Sequence, residues 1–137
     1  MEKGLRLAVV AFRDHKDGYV TKDFDGFTTN VDAIVANLST LRADGGDDAP
    51  EAITAALDKA LNLKWREDAV KIAVVITDAP PHGIGERDDH YPNGDPDGML
   101  APNFCMNDVN FPEGKDPVVV AKAMSKLGIA LVFIDES

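Results

Sequence analysis

Two apolar runs constrain this chain more than any other feature: Leu5–Phe12 (Leu-Arg-Leu-Ala-Val-Val-Ala-Phe) and Val70–Thr77 (Val-Lys-Ile-Ala-Val-Val-Ile-Thr). Both are strand-sized and nearly continuous, the pattern of strands covered on both faces rather than on one. Both fall far short of a membrane span. The second stops at Asp78-Ala79-Pro80-Pro81, a sequence that cannot extend a central strand. Ile129–Ile134 is a third run of the same kind, entered through Gly128. Helical periodicity lies between them. Thr28 or Thr29 can cap a helix bearing Val31, Ile34, Val35, Leu38 and Leu41. Asp48, with Pro50 in the first turn, opens a second helix with Ile53, Ala56, Leu57, Ala60 and Leu61 on one face. Asp116-Pro117 opens a third with Val120, Ala123, Met124 and Leu127, closed by Gly128. Tyr19–Phe24 alternates weakly, as a short edge strand reached by a hairpin does. The expected class is α/β: a Rossmann-like, open, mostly parallel sheet with one antiparallel edge strand and helices on both faces, in a single domain over 1–137.

Charge sets the range of partners. The 137 residues carry 24 Asp+Glu against 14 Lys+Arg, a formal charge of −10. Such a surface repels nucleic acid and anionic membranes and suits cations and basic protein surfaces. Met1-Glu2-Lys3-Gly4 lacks the apolar core of a secretory signal. The single cysteine, Cys105, excludes an internal disulfide and leans toward a reducing compartment, so a cytoplasmic setting is slightly favoured.

Ligands of open α/β sheets bind just beyond the carboxyl ends of the strands. Asp14 follows the first run, Asp78 follows Val70–Thr77, and Asp47, Asp48 and Glu51 precede the second helix. Oxygen ligands converging from separate loops suit a hard divalent cation such as Mg²⁺, Mn²⁺ or Ca²⁺. The same residues also have ordinary structural uses: Asp48 as a helix cap, Asp78 as a strand terminator.

Gly45-Gly46-Asp47-Asp48-Ala49-Pro50-Glu51 before an amphipathic helix, followed by Val74-Val75-Ile76-Thr77-Asp78-Ala79-Pro80, resembles the von Willebrand factor A domain. The branch found beside alpha-kinase domains and in hemicentin-like proteins is the most similar by motif, and Asp-x-Pro-Glu also looks like the corresponding element of integrin β subunits. The resemblance implies a non-catalytic, adhesion-type protein-binding module. It would hold a divalent cation at a metal-ion-dependent adhesion site and bind a protein ligand that presents a carboxylate. By that analogy Asp78 reaches the ion through water and Glu51 contributes directly or nearly so. Asp48, the Pro50 carbonyl and Asp14 would form a neighbouring site, although Gly46 stands where integrins carry an asparagine. The family's Asp-x-Ser-x-Ser and the strand that bears it are absent. Asp135-Glu136-Ser137 has no second serine and ends a different strand. The comparison thus implies a chain truncated at both ends, with a degenerate, weak ion site. The absent strand would lie between the equivalents of Leu5–Phe12 and Val70–Thr77. Direct pairing of those two strands is the expected remedy; a strand from a second chain, in a swapped or edge-paired dimer, is the other.

Two further functions compete. One is a small metal-dependent hydrolase or phosphoryl-transfer enzyme with Asp14 and Asp78 as metal ligands and a histidine as base. The other is an assembly piece acting through open sheet edges. Asn93-x-Asp95-x-Asp97-Gly98 copies half of an EF-hand loop, but Phe104 stands where the twelfth-position glutamate belongs, so a solvated turn is expected. His15, His82 and His90 match no zinc spacing and are expected at the surface, with His15 and His82 near one another. Cys105 has no base fixed beside it, and Trp65 is read as packing.

Overall fold

Capping chemistry sets the helix boundaries in the computed structural model, which describes residues 4–15, 17–44, 49–95 and 115–136. The order is β1 (Val10–Phe12), β2 (Thr21–Asp23), α1 (Val31–Thr40), α2 (Ile53–Leu61), β3 (Lys71–Thr77), α3 (Pro117–Lys126) and β4 (Ile129–Asp135). The N-cap of α1 is Asn30, whose Oδ1 accepts from the Ala33 N–H at 3.1 Å. Thr28 serves the cap instead of being it: its hydroxyl accepts from the Asn30 N–H. Asp116 caps α3 with Pro117 behind it, and Gly128 at φ +71° turns the chain into β4. Only glycine takes that left-handed turn without strain.

The second helix departs from expectation. It begins at Ile53, after Pro50, and its N-cap is Ala52, which offers no side-chain acceptor. Asp48 lies outside the described residues. Glu51 is held out of the helix because its N–H donates to the Pro80 carbonyl at 2.9 Å, bridging it to the loop after β3.

The fold is mixed α/β with two small sheets. β1 pairs antiparallel with β2, and β3 pairs parallel with β4 in register from Lys71↔Ile129 to Thr77↔Asp135. The expected direct closure between the first and second apolar runs does not occur: β1 and β3 are not partners. Both nevertheless run the same way. Their leading ends meet where Arg66 donates to the Gly4 carbonyl and Arg6 to that of Lys64. Their trailing ends meet where His82 bonds Asp14. α2 packs beneath them. It contacts β1, and its Ile53 and Leu57 join Val75, Val120, Met124 and Ile129 in the buried core. Trp65 packs against this core, stacks edge-on to Phe27 and donates its indole N–H to the Ala60 carbonyl, as a packing residue would.

The expectation that the Val70–Thr77 run is covered on both faces is also corrected. Val75 points into the core shared with α2 and α3, whereas Ile72, Val74 and Ile76 are 57, 53 and 60% exposed. Val132 and Ile134 of β4 continue this bare face. Substitution there should therefore be cheap. Ile76→Thr is expected to change unfolding free energy by less than about 0.5 kcal/mol, as a polar β-branched residue does at an exposed strand position. Urea denaturation checks it, and a loss above about 2 kcal/mol would show the face to be covered in solution.

Candidate functional site

Two groups of side chains gather at the carboxyl ends of β1 and β3. The first is a buried chain of carboxylates and imidazoles. His82 is fully buried; its Nε2 lies 2.9 Å from Asp14 Oδ1 and its Nδ1 lies 2.7 Å from Asp89 Oδ1. His15, also fully buried, places Nε2 3.1 Å from Asp95 Oδ1. The Tyr91 ring lies 4.7 Å from that of His15 and 4.8 Å from that of His82, and the two imidazoles are 5.9 Å apart. Backbone groups add to the set: the His15 N–H donates to Asp14, and the Gly83 and Tyr91 N–H groups donate to Asp89. Gly83 sits at φ +82°, and a Cβ there would stand 2.7 Å from the Gly94 nitrogen, so the loop folds on itself with no room for a side chain.

Asp95 supplies what Ala52 lacks. Its Oδ2 accepts from the Ala55 N–H at 2.7 Å, which caps α2 from a position far along the chain. A carboxylate at a helix N-terminus satisfies an orphan donor and meets the positive end of the dipole. Its other oxygen is the one that holds His15. Of the three histidines expected at the surface, His15 and His82 are thus fully buried and His90 is half-buried, and Asp95 is a helix cap where the sequence suggested a solvated turn. Asp97, Gly98, Phe104 and Cys105 lie outside the described residues.

Burial acts most strongly on His82 and lowers its pKa, but the bonds to Asp14 and Asp89, aided by the charges of Asp14 and Asp95, outweigh it. The result is a rise from 6.5 to about 9. At neutral pH the ring is therefore an imidazolium clamped between carboxylates, with both nitrogens committed.

The second group is exposed to a groove. Glu51 and Asp78 line one cavity of about 980 Å³ that runs between β1 and β3. The Glu51–Pro80 backbone bond fixes this juxtaposition. Of the four residues expected to hold an ion, Glu51 and Asp78 line the same groove, Asp48 lies outside the described residues, and Asp14 is 1% exposed and bonded to His82. An ion of the Mg²⁺ type keeps several waters and takes one or two protein carboxylates, the residue type that Glu51 and Asp78 provide. Among the described residues no group of three or more His, Cys, Asp or Glu is arranged to hold a metal.

Asp89 and Tyr91 were not legible as site residues. The available signal was indirect: a long Gly/Pro/Asp-rich segment carrying acids beside His82, with an Asp-His pair ending the other strand.

No protein-family model matches the chain. It is similar to an alpha-protein kinase, vwkA, of Dictyostelium discoideum, with 36% identity over 75 residues. That stretch covers 53% of this chain and 12% of the kinase. It is also similar to a putative ariadne-like RING finger protein, R811, of Acanthamoeba polyphaga mimivirus, with 31% identity over 85 residues. There the match covers 62% of this chain and 8% of the relative, so the chain spans a small part of either protein.

Proposed function

We propose that this chain is a von Willebrand factor A-like, non-catalytic protein-binding module that holds a divalent cation weakly at its carboxyl rim. The observation that carries the reading is that Glu51 and Asp78, from separate parts of the chain, line the same groove, with the Glu51 backbone bonded to Pro80 just after Asp78. Two features support the family reading: the similarity to an alpha-kinase, since the motif resemblance names the branch found beside such kinases, and the order of elements, which suits a Rossmann-like sheet interrupted at its centre. When bound, the ion would supply a positive anchor for a carboxylate on the partner protein. Asp14 serves the buried network, so Glu51 and Asp78 are the proposed ligands, completed by water.

A hydrolase would need a free base beside the ion. His82 is sealed from solvent and held protonated through neutral pH, and His15 is equally buried, which favours binding over catalysis.

Titration calorimetry with Mg²⁺, Mn²⁺ and Ca²⁺ tests the proposal. Binding in the range of about 0.1–1 mM is expected, as for weak carboxylate sites. Glu51→Gln and Asp78→Asn should each abolish it. Absence of heat in the parent chain at millimolar metal, or heat unchanged in both variants, would overturn the reading.

A further inference from the structure

Asp95 is a buried carboxylate that the rim reading leaves unused, and both its oxygens are already committed. Oδ1 lies 3.1 Å from His15 Nε2, and Oδ2 accepts from the Ala55 N–H at 2.7 Å. Its backbone is held as well: the Asp95 carbonyl accepts from the Lys115 N–H at 2.7 Å, and the Lys115 ammonium pairs with Asp58 of α2 at 2.9 Å. Anchors at three points give this side chain the fixed placement that a supporting group for a site requires.

What it supports is the first turn of α2. Ala52, the N-cap, offers no side-chain acceptor to that turn. Glu51 stands immediately before it, and two bonds tie the Glu51 backbone. Its N–H donates to the Pro80 carbonyl at 2.9 Å, and its carbonyl accepts from the Ile53 N–H at 2.7 Å. The first bond joins Glu51 to the loop just beyond Asp78; the second makes Glu51 follow the start of the helix. The same loop, running on from Pro80, returns to α2 at Asp95. It therefore grips the helix start twice, at Glu51 from its near end and at Ala55 further along. Between the two grips His82 bonds Asp14, and Asp89 gathers His82 Nδ1 with the Gly83 and Tyr91 N–H groups, which braces the loop internally. An uncapped helix start frays; the Asp95 bond keeps this one wound and so fixes where Glu51 leaves it.

We infer that Asp95 is a positioning residue for the rim: by capping α2 from the loop after β3 it sets Glu51 against Asp78, and with that the affinity for a divalent cation. The inference rests on the rim-ion reading above. Groups that orient a metal ligand from outside the coordination sphere change affinity by about 10–100-fold when removed. Asp95 acts through the backbone and does not touch the Glu51 carboxylate, so the lower end of that range is expected.

The test uses the whole chain with Mn²⁺ alone as the probe, and follows Glu51 amide exchange by NMR without metal. Asp95→Ala should weaken Mn²⁺ binding by about tenfold, the effect of a lost orienting group. In the same variant the Glu51 amide should exchange about tenfold faster or more, as local opening of the helix start requires. Asp95→Asn keeps an acceptor for Ala55 and should bind Mn²⁺ within about threefold of the parent. Ile34→Ala removes buried apolar bulk from α1 and controls for stability alone; it should also stay within about threefold. If Asp95→Ala does not fold, Asp95→Ser takes its place with the same expectation. Unchanged Mn²⁺ affinity or unchanged Glu51 exchange in the Asp95 variant would overturn the inference while leaving the rim ion in place. Equal weakening in Ile34→Ala would do the same, by reducing the effect to lost stability. A parent chain that binds no Mn²⁺ would remove the rim ion itself, and this inference with it.

Discussion

His82→Ala is expected to cost about 3–5 kcal/mol of folding stability, the usual range when one partner of a buried ion pair is removed. The loss arises mainly from what stays behind. Asp14 and Asp89 keep their buried positions, each 2% exposed at the side chain, without the imidazolium between them. Stability of domains this size is itself only about 5–15 kcal/mol, so urea denaturation should show the midpoint fall by a large fraction or the variant unfold outright. The double variant that also carries Asp14→Asn should recover part of the loss, because it removes one stranded charge. The effect also carries a pH signature. Because the folded-state pKa of His82 is raised, to about 9, protonation favours the folded chain. The stabilisation is whole below about pH 6.5 and is lost as pH rises through about 9; a shift of that size corresponds to something on the order of 3 kcal/mol. Stability that stays level between pH 6.5 and 9.5 would show that His82 is neutral in the folded chain, and the cost of His82→Ala would then be one of packing.

Asp95→Ala should cost about 2–4 kcal/mol, from the lost helix cap and a lost bond to a charged acceptor. One carboxylate here serves two distant elements: Oδ2 accepts from Ala55 at the start of α2, and Oδ1 holds the His15 ring beyond the end of β1. The side chain is fully buried, so water does not readily replace it. Hydrogen exchange should quicken first at Ala55 and along the segment around Tyr91, ahead of the core strands. Asp95→Asn keeps an acceptor for Ala55 and a polar group for His15, and should cost less than about 1.5 kcal/mol. Equal losses in the two variants would mean that the carboxylate charge, rather than the cap, carries the effect.

Much of the secondary structure was legible because it is written locally. The run at Lys71–Thr77, the Asp116-Pro117 start and the Gly128 stop are each fixed by neighbours in sequence. The start of α2 was not: the local signal pointed to Asp48 and Pro50, but Glu51 is drawn onto the loop after β3, and the cap arrives from Asp95. The histidines were misplaced for a related reason. Polar, acid-flanked residues read as solvated until several of them find one another, and only mutual pairing lets Asp14, His15, His82 and Asp95 leave water together.

The amino-acid order by itself determined the kind of elements, their sequence along the chain, the acidic surface and the placement of Glu51 and Asp78 at strand and helix ends. Tertiary structure alone decided that β1 and β3 stand apart over α2, that Ile72, Val74 and Ile76 face outward, and that a buried imidazolium joins the loops. Periodicity reports whether a residue avoids water but not which partner shields it, and apolar strands read alike whether their neighbour is present or missing.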